Sequence, residues 1–161
     1  MDCWGQCRAR GQAKNVFLEF SDANVRVREQ IRSGLQTAIQ ASDVEFFQAA
    51  IDFIKLVSGL KGFGPAFATR CLALARPNLA VSVNRGSIPG LAVLSGLPQN
   101  SLGKTPSGPR ARSYADLLAF LARQDWYSNP TPNGRYEQTL ANARGALLDC
   151  LVYVPTTGTL E

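Results

Sequence analysis

Among residue types that do chemistry, the first finding is a gap: the chain has no histidine. That removes Ser-His-Asp catalysis, Cys-His catalysis and histidine-ligated metal sites together. Proton transfer near neutral pH then falls to a carboxylate or lysine with a shifted pKa, or to bound water. Asp149 stands in unusual company, in the otherwise apolar run Ala146-Leu147-Leu148-Asp149-Cys150-Leu151-Val152. It lies either on the one wet line of its helix, with Gln138, Asn142 and Gly145, or against a cavity, where burial would raise its pKa. Asp52, on a narrow polar line of an earlier helix, reads as a surface residue. The cysteines Cys3, Cys7, Cys71 and Cys150 lack paired C-x-x-C spacing, so free thiols are expected and no metal site.

A second kind of chemistry needs no reactive side chain. In Gly59-Leu60-Lys61-Gly62-Phe63-Gly64-Pro65-Ala66-Phe67-Ala68 one helix ends, a G-x-G corner turns the chain, and a new helix begins at Pro65. Glycines accept positive φ and leave the backbone uncovered. The amides of the corner and of the new helix's first turn can then point at one phosphate, where the helix dipole adds partial positive charge. Lys61 and Arg70 would reach neighbouring phosphates. The alternative is a helical hairpin buried in a core. The net charge of +5 favours an anionic partner.

Helices must position these groups. One starts after Ser21 or Asp22, with Val27, Ile31, Leu35 and Ile39 at helical spacing. The next spans Asp43 to Ser58, with one stripe of Val44, Phe47, Ile51 and Ile54 beside another of Phe46, Ala50, Phe53 and Val57. So wide an apolar face predicts a largely buried helix. A third runs from Pro65 to Arg76, stopped by Pro77. Leu91 to Leu97 reads as a short helix, Gln99 to Arg112 as a mobile basic loop with Lys104, Arg110 and Arg112, and Ser113 to Gln124 as a helix. Trp126 to Gly134 reads as an aromatic loop, and Arg135 to Tyr153 as one long helix. No strand pattern emerges, so the expected fold is all-α. The expected organisation is an N-terminal tail at 1–15, a helical domain at 16–155 with a helix-hairpin-helix at 44–76, and a C-terminal tail at 156–161. No apolar stretch could span a bilayer, and the expected location is the cytoplasm.

The stretch Leu60 to Pro77, continuing into Val81-Ser82-Val83-Asn84, resembles the helix-hairpin-helix DNA glycosylase superfamily, in particular its 8-oxoguanine-glycosylase-like branch. The resemblance implies a helical fold, double-stranded DNA as ligand, a base flipped into a pocket, and cleavage of its N-glycosidic bond. It implies DNA contacts at Lys61, Gly62, Phe63, Gly64, Ala66, Arg70 and Arg85. The position matching the family's lysine nucleophile is Ala66, which argues against Schiff-base and β-lyase chemistry. The position of its catalytic aspartate is Asn84, which can hold water or sugar by hydrogen bonds but carries no charge. Ser87 competes with Asn84 as cap of the next helix, because Pro89 would otherwise fall where a helical N–H is needed. The family builds part of its base pocket from its last helix, which suits Asp149. Trp126 and Tyr127, with Asn129, either stack on the extruded base or pack their loop onto the core. The family's iron–sulfur loop has no counterpart.

The function expected is a monomeric, monofunctional glycosylase without cofactor, with Asn84 and Asp149 at its catalytic site. Small proteins similar to this one excise hypermodified phage cytosines, such as glucosylated hydroxymethylcytosine, in bacterial defence. The alternative is a helix-hairpin-helix module that recognises DNA without chemistry.

Overall fold

A computed structural model describes residues 16–17, 21–102 and 113–153. The expected tails at 1–15 and 156–161, Cys3, Cys7, and Lys104, Arg110 and Arg112 lie outside them. The described residues form helices and no strand: α1 (Asp22–Gln40), α2 (Asp43–Gly59), α3 (Pro65–Ala75), α4 (Ile88–Ser95), α5 (Gln99–Leu102), α6 (Ser113–Ala122), α7 (Asp125–Ser128), α8 (Arg135–Asn142) and α9 (Arg144–Leu151). None of them is long and apolar enough to cross a membrane.

Local chemistry sets the starts. Ser21 caps α1, its hydroxyl accepting the Asn24 amide at 3.3 Å. A capping box opens α2: the Ser42 hydroxyl accepts from the Glu45 amide, and the Glu45 carboxylate accepts from the Ser42 amide at 3.2 Å. α2 is the central helix, with α1 and α3 packed on it and α6 closing it from another side. Of its two apolar stripes, the one led by Phe46 faces the core, where Phe46, Ala50, Phe53 and Val57 are buried. The other is split: Ile54 is buried, whereas Val44 is 87% exposed because it stands at the start of the helix, beyond the cover of its neighbours.

Arg76, immediately after α3, locks α1 to α2. Its guanidinium donates to the carbonyls of Ile39 at 3.0 Å and Ala41 at 2.8 Å, pairs with Asp43, and lies 5.1 Å over the Phe46 ring. It thereby satisfies carbonyls left over at the end of α1.

Between α3 and α4 the chain crosses the interior without secondary structure, and Ala80, Val81, Ser82 and Val83 are all buried. Side chains take the place of a partner strand. Thr69 of α3 accepts the Val83 amide at 3.0 Å and donates to the Val83 carbonyl at 3.3 Å. Tyr114 donates to the Val81 carbonyl at 3.0 Å, and Ser87 to the Ser82 carbonyl at 3.2 Å.

Four boundaries differ from the sequence-based expectation. The stretch read as a loop from Gln99 opens with the short helix α5, Gln99–Leu102. Leu91 to Leu97 is replaced by Ile88–Ser95, ended by Gly96 in the left-handed region at φ +71°. The aromatic loop begins with the short helix α7. The long helix from Arg135 to Tyr153 is two helices, broken at Ala143. The break has a physical cause: the Pro77 carbonyl accepts the amides of Gly145 at 2.7 Å and Ala146 at 3.3 Å. First-turn amides of a new helix thus find a partner elsewhere in the fold, and α9 is re-aimed at the interior.

Gly145 is consequently not on a wet line. It is buried, and an added Cβ would collide with the Ala80 carbonyl and lie 2.9 Å from the Pro77 carbonyl. Gly145→Ala should cost about 1–3 kcal/mol, lowering Tm on the order of 5 °C in thermal unfolding followed by circular dichroism. Gly59→Ala, where a Cβ meets open space, should change Tm little.

Candidate functional site

The glycine corner has the conformation its sequence demands. Gly62 stands at φ +90°, a region that favours glycine. Gly64 is different: its backbone is extended at φ −159°, and a Cβ there would meet nothing within 4 Å. Among the described residues nothing would obstruct a side chain at 64, and without one the backbone there is less covered. The Phe63 amide bonds to the Leu60 carbonyl at 3.1 Å, whereas the amides of Gly62, Gly64 and Ala66 have no acceptor within the described residues. Lys61, Gly62 and Ala66 are exposed. Phe63 is turned inward against Phe67, ring centroids 5.0 Å apart in an edge contact, and both meet Phe17. It anchors the corner rather than protruding from it.

At the far end of the buried crossing stands Asn84. Its Oδ1 accepts the amides of Gly86 at 2.9 Å and Ser87 at 3.2 Å, while its main-chain carbonyl accepts those of Ser87 and Ile88. Asn84 therefore caps the turn, and Ser87 begins α4 proper. Pro89 falls at the second helical position, where no intrahelical partner is needed. The competition between Asn84 and Ser87 is thus resolved by both serving in sequence.

The other end of the Asn84 amide reaches across the fold. Its Nδ2 donates to Asp149 Oδ1 at 2.9 Å, joining residues 65 positions apart. Gly145 and Asp149 are one turn apart on α9 and share its inner face. The Asp149 side chain is 15% exposed, and Arg70 Nη2 of α3 lies 4.0 Å from its Oδ2. The carboxylate occupies a half-buried recess between α3, α9 and the turn into α4. Burial raises its pKa above the ordinary value; Ser87, Arg70, Asn84 and Ser82 pull the other way and do not cancel it. Ser82 is buried beside the carboxylate, and its hydroxyl forms no full hydrogen bond to the protein.

This geometry gives the asparagine a reason. An amide offers an acceptor to the turn and a donor to Asp149 at the same time. Aspartate at 84 would cap equally well but would set two carboxylates in contact. The carboxylate of the recess is instead carried by α9.

The remaining candidates are dispersed. Arg85 is exposed beside Asn84. Tyr127 is 4% exposed, under the Arg144 guanidinium at 5.2 Å, and burial holds its phenol well above the usual range. It is a core residue, so an aromatic surface for a base is left to Trp126, which is 50% exposed and meets Tyr127 edge-on. Asp52 is on the surface with Gln48 and Lys55. Cys71, half-buried, and Cys150, exposed, are not joined in a disulfide.

Sequence reasoning separates Arg70 from Asp149, sees Ser87 only as a helix cap, and gives Ser82 no part beside the carboxylate. One signal was available: Arg70 lies four residues after Ala66, on the same face of α3. Comparison of the chain with family models, with curated proteins and with solved structures gives no match in any of the three.

The raised pKa of Asp149 fixes a sign. A carboxyl that titrates higher when folded contributes its stability fully below the unfolded value, near 3.8, and loses it as pH rises through the folded one. Asp149→Asn stays neutral throughout. The Tm of the variant relative to the parent should therefore be higher at pH 7 than at pH 4, measured by thermal unfolding at both. The opposite trend would contradict burial as the dominant influence on this group.

Proposed function

We propose that the protein is a monofunctional DNA glycosylase. It binds double-stranded DNA as a monomer, takes a modified base out of the stack and hydrolyses its N-glycosidic bond, leaving an abasic site. The observation that carries this reading is the Asp149 carboxylate, held by Asn84 in a half-buried recess beside α3, the helix whose start forms the uncovered glycine corner.

The chemistry follows from that placement. Breaking the bond between C1′ and the base builds positive charge on the sugar, which an adjacent carboxylate stabilises. The same carboxylate takes a proton from the water that attacks C1′. Asn84 fixes Oδ1 in place, and Oδ2 lies toward the Arg70 guanidinium at 4.0 Å. Ala66, exposed on α3 where the resembling family has lysine, supplies no amine. Water is then the nucleophile, and the strand is left uncut. The corner at Gly62 to Gly64 offers amides to one phosphate, Lys61 and Arg85 add positive charge at the surface, and half-exposed Trp126 offers a ring to stack.

A non-catalytic DNA-recognition module is the second reading. The Arg70–Asp149 pair favours it, since a paired carboxylate on a structural helix is a common device of stability.

Duplexes carrying single modified bases, and phage DNA containing glucosylated hydroxymethylcytosine, separate the two. Abasic sites are expected with at least one substrate, without strand cleavage. Asp149→Ala should lower the single-turnover rate on the order of 10²–10⁴-fold, and Asn84→Ala should lower it less. Binding with no abasic sites on any substrate would favour the module.

The corner has its own test. Gly64→Val is tolerated by the backbone but covers the amides, so it should weaken binding to every duplex alike, about tenfold in Kd. Fluorescence anisotropy with two unrelated sequences checks this. Loss confined to one sequence would remove the phosphate role.

A further inference from the structure

On sequence grounds Arg70 is a phosphate contact, yet its guanidinium is turned to the recess, with Nη2 4.0 Å from Asp149 Oδ2 and the side chain 32% exposed. That separation is too long for a hydrogen bond. It leaves the planar fork free to donate to something else in the same recess. Among the described residues, Arg70 is the one charged group that acts on Asp149.

Among the described residues the recess holds no second acid. The described groups that act on the carboxylate are Ser82, Ser87, the Asn84 amide and Arg70. None of them gives up a proton near neutral pH. Asp149 cannot both carry negative charge for the sugar and hold a proton for the base. The chain has no histidine to take that part. With these groups alone a base leaves as an anion, and a fixed positive partner stabilises it.

Resting on the glycosylase reading, we propose that Arg70 is a catalytic residue that hydrogen-bonds the departing base. We further propose that the bases excised carry a keto oxygen on the carbon next to the glycosidic nitrogen. Pyrimidines with their 2-keto group and 8-oxopurines are such bases; simple and alkylated purines are not. That oxygen takes up charge as the bond breaks, and it lies on the same side of the base as C1′. One guanidinium can therefore face both it and Asp149. The C1′–N bond breaks with both electrons remaining on the base. Arg70 donates hydrogen bonds without transferring a proton. Water adds to C1′, its proton passes to Asp149 and then to solvent, and the released base anion is protonated by solvent.

The test uses the full chain and duplexes containing a single uracil, 5-fluorouracil, 5-formyluracil, 8-oxoguanine, 7-methylguanine or 3-methyladenine. Excision confined to the keto-bearing group is expected. Arg70→Gln should lower the single-turnover rate on the order of 10²-fold for the poorest leaving pyrimidine and less than about tenfold for the most acidic one. Its Kd for the same duplexes should stay within about threefold. Excision of the alkylated purines alone would overturn the proposal. So would an equal loss of rate at every leaving group, or a loss expressed in Kd, which would return Arg70 to the phosphates; in these cases the glycosylase reading stands. No excision of any base by the parent, here or from modified phage DNA, removes that reading and this one together.

Discussion

The structure hangs on a length of buried chain that has no strand to pair with. From Ala80 to Val83 the backbone passes through the interior, and each amide and carbonyl left unpaired there would cost about 1–3 kcal/mol. Hydroxyl groups answer the need. Thr69 serves both polar groups of Val83, Tyr114 takes the Val81 carbonyl, and Ser87 takes the Ser82 carbonyl while accepting the Asn84 amide at 3.1 Å. These contacts come from three directions, so the crossing has little freedom to slide. Asn84, at its end, inherits that rigidity, and so does the carboxylate that Asn84 holds.

The same crossing explains why α9 lies where it does. Gly145 presses on it without a side chain, and the Pro77 carbonyl just before it takes the first amides of α9. Asp149, one turn further along, arrives at Asn84 with most of its surface covered. Its burial is thus a by-product of backbone approach rather than of a bulky apolar lid. On the other side of the recess, α3 carries both the uncovered corner at its start and Arg70 one turn after Ala66. A single stiff element joins the two features, so a phosphate seated at the corner would define where the recess meets the neighbouring nucleotide.

Much of this was legible from residue order. The helical class, the start of α1 at Ser21, α2 and the corner with proline at the first position of α3 all follow from local rules: spacing of apolar residues, capping and glycine conformation. The ambiguity over Asp149 was also visible, as one carboxylate in an apolar run. What local rules could not reach were features set by distant partners. The break at Ala143 depends on a carbonyl at Pro77, so the periodicity of 135–153 reads straight through it. Val44 matches its stripe perfectly and is exposed because no described residue covers it. Tyr127 sits in a sequence that looks like a surface loop, yet Arg144 and the core enclose it. The Arg70–Asp149 approach is a contact between helices far apart in the chain, with no signature in either one alone.

The split between α8 and α9 also bears on the protein's excursions from its native state. α1, α2 and α3, which carry the glycine corner, pack on one another more extensively than α9 packs on α3. The carboxylate, by contrast, is held by one long-range amide bond and by the seating of a helix of only eight residues. Local unfolding favours such short, late-docking pieces. A transient opening of α9 would therefore leave the glycine corner whole while it unseats Asp149 from Asn84.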